Sequence, residues 1–366
     1  MIRVLMLSPY PDQSGGVVDY VGMLKTNLPP DVQVKDFFIG RRKLSPAMRL
    51  LSPLLPLVDA GRLLLRLLVR RYDVVHLNPS FNKALLRDSL FMLVLRVFGM
   101  SRVMVFMHGW NDAWAARVLS GRVSRALFRW VWGGAGRILL LASRFKQSLV
   151  DAGLDGGRIE VVSTMFDAGQ FAGVESRRGG QATQVLFLSR FVREKGGYEL
   201  LKGFAQVAEA YPDMQLICAG DGPEAAGMRA WVEQQGLGGR VRFPGFVRGR
   251  EKAQLLADAD IFAFPTYYGE GCPVSLLEAM AAGCAVITGD AGGIPDIFED
   301  GENGVMLSRP TGDKVGAALR DLLSDPARCR AIGEHNREVA GTRYEAGRVS
   351  ADVAAVYAAL AGQGGS

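Results

Sequence analysis

The chain has 366 residues, 49% hydrophobic and 22% charged, with a mean hydropathy of +0.12, a balance well outside the disordered class. Its 45 glycines follow no fixed period and its four cysteines are widely spaced, so collagen-like, coiled-coil and disulfide-scaffold chains are excluded. The net charge of +6 is unevenly held, +11 over residues 1–170 and −5 over the rest, so the first half is set to meet something anionic: nucleic acid, a membrane surface or a phosphorylated substrate.

The opening MIRVLMLSPYP holds an apolar run too short for the core of a signal peptide, and no uncharged stretch approaches the ~18 residues needed to span a bilayer. With no zinc or Cys-x-x-Cys pattern among Cys218, Cys272, Cys284 and Cys329, a reducing compartment is expected, so the predicted location is cytoplasmic or peripheral to a membrane.

Residues 2–7 (IRVLML) read as a buried strand running into a glycine loop and a helix from about Val17. Further strands are predicted at Val34–Phe38, Asp73–Leu77, Arg102–Met107 and Arg137–Leu141, with helices near 60–71, 83–98, 113–132 and 143–152. Residues 174–183 (VESRRGGQAT) lack periodicity and read as a linker. A second alternation follows: strands at 185–188, 214–219, 241–243, 261–264 and 285–288, helices at 198–210, 223–235, 250–258 and 275–282. The predicted organisation is α/β: an N-terminal Rossmann-like domain over 1–173, a linker over 174–183 and a C-terminal Rossmann-like domain over 184–345. A final helical segment over 346–366 could pack on either domain. Parallel sheets bind ligands beyond the carboxyl ends of their strands, so two such domains predict a cleft lined by loops of both.

The densest stretch is Phe264–Pro295, FPTYYGEGCPVSLLEAMAAGCAVITGDAGGIP. A helix expected from Ser275 gives Glu278 two readings. It is the far end of a Ser-x-x-Glu capping box, or a carboxylate placed to accept both hydroxyls of a ribose. The same helix N-terminus suits a diphosphate. Arg190 and Lys195, in SRFVREKGG after a strand, are either solvated loop charges or cations able to neutralise a departing nucleotide. Gly15 and Gly16 form an ordinary strand-to-helix turn or let backbone approach a ligand. His108, at the end of RVMVFM, is either structural or a substrate contact, and His76 at the end of VVHLN is read as structural at least as readily. Asp258 and Asp260 have Asp-x-Asp spacing but sit at a helix end before a strand.

These residues resemble a family. Glu270-x7-Glu278 inside EGCPVSLLEAMAAGCAVI, followed by GGIPDIFEDGENGVML, is similar to the donor site of retaining family-4 glycosyltransferases of the two-domain GT-B fold (glycosyl transferases group 1). The glycine loop, the MHGW histidine, SRFVREKGG, AGDGPE and FPGFV come in the matching order. The resemblance implies parallel sheets facing a central cleft, with acceptor binding in the first domain and a nucleotide-diphosphate sugar, UDP- or GDP-linked, in the second. It assigns Arg190 and Lys195 to the diphosphate, Glu278 to the ribose, Glu270 to the hydroxyls of the transferred sugar and backbone of Gly271, Cys272, Pro273 and Val274 to sugar and phosphate. His108 would meet the donor sugar and the loop at Val247 the nucleobase. No cofactor and no metal are expected, and the reaction would be a front-face, configuration-retaining displacement. The final helix would cross back to the first domain, although TRYEAGRV lacks the Trp-Glu often seen before it.

Arg62, Arg66 and Arg70 recur every four residues beside a leucine face, and Trp110, Trp114, Trp130 and Trp132 sit among arginines. That pattern fits either an anionic bilayer surface or solvated helices with buried aromatics. The resemblance favours the bilayer and a saccharide or lipid-linked acceptor, in lipopolysaccharide, exopolysaccharide or capsule synthesis at the inner face of the cytoplasmic membrane, with no nucleic acid bound. The competing readings are a GT-B-type nucleotide-sugar epimerase and a non-catalytic membrane or nucleic-acid adaptor.

Overall fold

The computed structural model describes residues 1–13, 15–40, 54–179, 183–269 and 271–362. The chain divides into two compact units, Met1–Thr164 with the C-terminal helix, and Met165–Glu345.

The first unit is built from β1 (Ile2–Ser8), α1 (Gly16–Asn27), β2 (Val32–Phe38), α2 (Leu55–Val69), β3 (Val74–Leu77), β4 (Ser80–Phe81), α3 (Leu85–Val97), β5 (Val103–Met107), β6 (Gly109–Trp110), α4 (Asp112–Ser120), α5 (Arg122–Trp132), β7 (Arg137–Leu140), α6 (Ser143–Asp151) and β8 (Ile159–Val161). Six strands form a parallel sheet in the order β2-β1-β3-β5-β7-β8, and β4 pairs with β6 in a small separate ladder. One face of the sheet buries Leu5, Leu7, Val75, Leu77, Val103 and Val105 with Phe91, Phe128 and Trp132. Burial on both faces explains why these strands read as unbroken apolar runs.

The second unit holds β9 (Gln184–Leu188), α7 (Gly197–Ala208), β10 (Gln215–Ala219), α8 (Ala225–Gln234), β11 (Val241–Gly245), α9 (Gly249–Asp258), β12 (Ile261–Phe264), α10 (Val274–Ala281), β13 (Ala285–Gly289), β14 (Gly304–Leu307), α11 (Gly312–Ser324) and α12 (Pro326–Arg343). Its parallel sheet runs β11-β10-β9-β12-β13-β14. The final helix, α13 (Ala346–Gly362), packs on α1, β1 and β3 of the first unit.

Three departures from the sequence reading have physical causes. The predicted helix over 113–132 is two helices, because Gly121 takes an extended conformation between α4 and α5. The segment read as a linker is attached to the second unit: Ser176 Oγ donates to the Ala257 carbonyl at 2.7 Å, Arg177 N to Asp258 Oδ1 at 2.9 Å and Arg178 Nη2 to the Leu256 carbonyl at 3.1 Å. The chain instead passes between units at 164/165 and 345/346, where Phe166 and Glu345 pair side by side. The third departure is β8 and β14, which occupy sheet edges and are too short for periodicity to reveal. All four cysteines are buried and none is in a disulfide. No described helix is long and apolar enough to cross a membrane.

Candidate functional site

In the second sheet β9 lies between β10 and β12, so the strand order reverses there and the loops after β9 and β12 leave the sheet as neighbours. The loop after β9 carries Arg190, which is exposed, and the turn Arg193–Lys195. That turn is tied to the loop after β12 through one carbonyl: Glu194 O accepts from Tyr267 N (2.9 Å), Tyr268 N (3.1 Å) and Thr266 Oγ1 (3.2 Å). Tyr267 OH adds a bond to the Arg193 carbonyl at 3.0 Å. Lys195 Nζ lies 5.2 Å from the Phe264 ring centroid and 4.8 Å from that of Tyr268, so its charge is held against aromatic faces.

Two glycines of the motifs exist for these contacts. Gly196 has φ +81°, and a Cβ there would strike the Pro265 carbonyl. Gly220, in AGDGPE, has φ +141°, and its Cβ would strike the carbonyl of Ser189. Backbone meets backbone at both places, which only glycine permits.

α10 begins at Val274 with Pro273 as its N-cap, and no side chain caps it. The predicted capping box is therefore absent. Ser275 lies inside the first turn, and Glu278 is buried and pairs with Lys252 of α9, Nζ to Oε1 at 2.6 Å. Gly271 and Val274 are half-buried, Cys272 and Pro273 buried, and Glu270 lies outside the described residues. Val247 is in the core, so its side chain is not the one on offer beside it; Phe246 stands 76% exposed. Asp258 and Asp260 both accept from backbone amides, of Arg177 and of Thr183 and Gln184 respectively, and among the described residues no cluster of three His, Cys, Asp or Glu side chains could hold a metal.

In the first unit the order reverses between β1 and β3. Gly15 caps α1 with φ +146° and open space where a Cβ would be, and Gly16 starts the helix, so Gly15 is required for its conformation rather than by crowding. His108 follows β5, stacked on Phe106 with ring centroids 4.2 Å apart and against Tyr20 at 4.7 Å. Its Nε2 lies 2.8 Å from Asn78 Oδ1. His76 is fully buried, with Nδ1 2.6 Å from the Tyr357 hydroxyl of α13. Burial pushes both rings down to about 3, His76 further disfavoured by His108, so both are neutral near pH 7.

The expected lipid-facing residues divide. Arg62 pairs with Asp59 at 2.8 Å and covers the Phe37 ring, Arg66 donates to Tyr72 OH at 2.7 Å, and Arg70 caps the end of α2. Leu57, Val58, Leu64, Leu65, Leu68 and Val69 of the same helix are exposed. The tryptophans differ among themselves. Trp110 is stacked on Phe145 at 4.5 Å and 9° and lies 4.4 Å from Phe81, and Trp114 packs against the core with its indole nitrogen sealed, so both rings are half-buried. Trp130 is the exposed one.

Sequence reasoning missed Lys252, Tyr268, Asn78 and Tyr357. Lys252 sits in the charge-rich GREKAQLL, where nothing marks one lysine as paired with a buried carboxylate 26 positions on. Asn78 had a visible signal, its place directly after the strand VVHL.

The second unit is thus a Rossmann-like domain with a basic loop and a carboxylate-bearing helix at the reversal point of its parallel sheet. Residues 174–339 match the family described as glycosyl transferases group 1. Among curated relatives, the GDP-mannose-dependent alpha-(1-6)-phosphatidylinositol monomannoside mannosyltransferase of Mycobacterium tuberculosis is 28% identical over 66% of this chain and 66% of its own length. The phosphatidyl-myo-inositol mannosyltransferase of the same species is 34% identical over 50% of this chain and 49% of its own. The chain thus matches just under two thirds of the first relative and about half of the second. Among solved structures, Anabaena HepE in complex with UDP and glucose superposes with a TM-score of 0.73 at 17% identity, covering 98% of this chain and 100% of that one. The lipopolysaccharide outer core galactosyltransferase WaaB gives 0.69 at 16%, covering 98% and 99%. These likenesses extend over both units and show the GT-B fold.

Proposed function

We propose that the chain is a retaining, metal-independent glycosyltransferase that moves a hexosyl group from a nucleotide-diphosphate sugar to a hydroxyl of a lipid-linked acceptor. The observation that carries this reading is the joint presence, at one sheet reversal, of the anchored Arg190–Lys195 loop and the buried Glu278 on an uncapped helix. An epimerase or an adaptor has no comparable support from the family match.

In this reading Arg190, Lys195 and the N-terminal amides of α10 neutralise the diphosphate as its bond to the anomeric carbon breaks. Glu278 uses the oxygen not taken by Lys252 for the ribose, and Glu270 and the backbone of Gly271–Val274 hold the sugar. The segment Phe246–Val247 flanks the nucleobase. The acceptor oxygen bonds to the anomeric carbon on the face the phosphate leaves, and its proton passes to the departing phosphate oxygen. His108 is assigned to the transferred sugar. The mannosyltransferase relatives support a GDP-sugar as the first donor to test and a lipid acceptor in cell-envelope glycan synthesis.

The test is a thermal-shift panel of GDP, UDP and ADP followed by turnover of GDP-mannose and UDP-glucose. A nucleotide at a hundred times its Kd stabilises the folded chain by about 2.7 kcal/mol. No shift with any of the three, and no donor turnover, overturns the assignment.

The membrane assignment rests on α2, whose exposed leucine and valine face is edged by Arg62, Arg66 and Arg70. Cosedimentation with phosphatidylcholine vesicles containing phosphatidylglycerol is expected. Each basic residue near such a surface contributes about 1 kcal/mol, so the triple change to Glu lowers partitioning on the order of a hundredfold. Equal sedimentation of the wild type and the triple variant removes the assignment.

A further inference from the structure

We infer that Asn78 is a positioning residue that fixes His108 as the tautomer with its proton on Nε2, leaving Nδ1 as a hydrogen-bond acceptor for a substrate hydroxyl. The inference rests on the assignment of His108 to the transferred sugar.

Asn78 is buried directly after β3, and its carboxamide is held at both ends. Nδ2 donates to the Leu7 carbonyl at 3.2 Å, and Oδ1 lies 2.8 Å from His108 Nε2. A backbone carbonyl can only accept, so the amide nitrogen must face Leu7. The opposite orientation would set two acceptor oxygens against each other at that distance. The amide oxygen therefore faces the imidazole, and an acceptor there requires a donor on Nε2. Sandwiched between Phe106 and Tyr20, the ring does not take a second proton near neutral pH, so the lone pair is confined to Nδ1.

The choice of an amide matters. An aspartate at position 78 would also orient the ring, but its charge would favour the imidazolium, which cannot accept. The neighbouring His76 is an internal contrast. Its partner is the hydroxyl of Tyr357, which both donates and accepts, so that contact leaves the tautomer open. A neutral His108 that can only accept at Nδ1 selects a sugar hydroxyl, and a deoxy analogue at that carbon loses the bond while leaving the acceptor nitrogen unsatisfied.

Long-range proton–nitrogen correlation spectra of the full-length wild type, labelled with nitrogen-15 histidine, read the tautomer without any variant. The chain has three histidines, and the His108 signal is assigned by its loss in His108→Gln. The expected pattern is a neutral ring protonated on Nε2 that persists from pH 8 to about pH 5, since the ring ionises only at about 3. The titratable groups around it are His76, Tyr20 and Tyr357, all of which stay neutral in that range. A ring protonated on Nδ1, or averaging between tautomers, overturns the inference.

Asn78→Leu is then expected to give averaging and a kcat for GDP-mannose turnover lowered about ten- to a hundredfold with KM nearly unchanged. Asn78→Asp should carry the imidazolium signal to higher pH and shift the acid limb of the kcat profile with it. If His108→Ala loses turnover and Asn78→Leu keeps it, the positioning role is wrong while the assignment of His108 stands. If neither variant loses turnover, the assignment of His108 itself fails, and the inference with it.

Discussion

Changing Lys195 to alanine is expected to lower donor turnover by about 10²–10³-fold, the usual cost of removing one preorganised group that meets developing charge. The structure makes Lys195 a fixed charge rather than a wandering one. Its turn is pinned through the Glu194 carbonyl to three donors of the next loop, and its ammonium lies against Phe264 and Tyr268. The loss of those aromatic contacts should cost only about 1 kcal/mol of stability, so the variant remains folded and the defect is one of chemistry. Lys195→Arg should not restore turnover, because a planar guanidinium does not place its charge where a compact ammonium does. Steady-state hydrolysis of the donor, with a melting curve for each variant, measures both quantities. Turnover within threefold of wild type for Lys195→Ala would remove this residue from the leaving-group role.

Lys252→Met tests the other half of the site through stability. Glu278 is buried, and its bond to Lys252 at 2.6 Å compensates its charge. Removing only the lysine strands a carboxylate in a low-dielectric setting, which costs about 3 kcal/mol. Replacing both residues, as Lys252→Met with Glu278→Leu, should recover most of that loss, because a buried ion pair adds little over apolar side chains that fill the same space. The double variant should be stable and yet fail to bind nucleotide, which separates the structural use of the pair from its function. Urea denaturation midpoints and calorimetric titration with GDP read the two effects. An unchanged midpoint in Lys252→Met would show that Glu278 is not held by this pair, and wild-type GDP binding by the double variant would sink the ribose assignment.

What the sequence made legible follows physical rules. Parallel strands buried on both faces write themselves as continuous apolar runs, so β1, β3, β5, β9, β12 and β13 were placed nearly to the residue. Loops after such strands drew attention to Arg190, Lys195 and Glu278 in sequence, and the structure places Arg190 and Lys195 after β9 and Glu278 on the helix after β12, at the point where the strand order reverses. The capping box failed because Pro273, not Ser275, ends up before the first turn of α10, a difference of two residues that spacing cannot resolve. The tryptophan pattern was legible only in part. Trp110 and Trp114 lie among arginines in sequence, but the packing of Trp110 on Phe81 and Phe145 and of Trp114 against the core is a long-range event that composition does not encode. Lys252 was out of reach because its partner lies 26 positions away on another element, and for Asn78 the place after a strand was visible but its partner, 30 positions on, was not. Longest of all is the reach from His76 to Tyr357, 281 positions.

That last pairing bears on the order in which a ribosome can finish this protein. The first unit is discontinuous: its sheet is complete in sequence by β8, yet the face carrying His76 is covered by α1 and α13, and Tyr357 is fully buried there. During synthesis the second unit has all of its own residues before the first has its last helix. The amino-terminal half must therefore wait, with part of one layer of its sheet open and His76 lacking its hydroxyl partner, until the last helix is made. A released chain truncated before residue 346 should keep a protease-resistant second unit while its first unit remains sensitive to protease, as limited proteolysis would show.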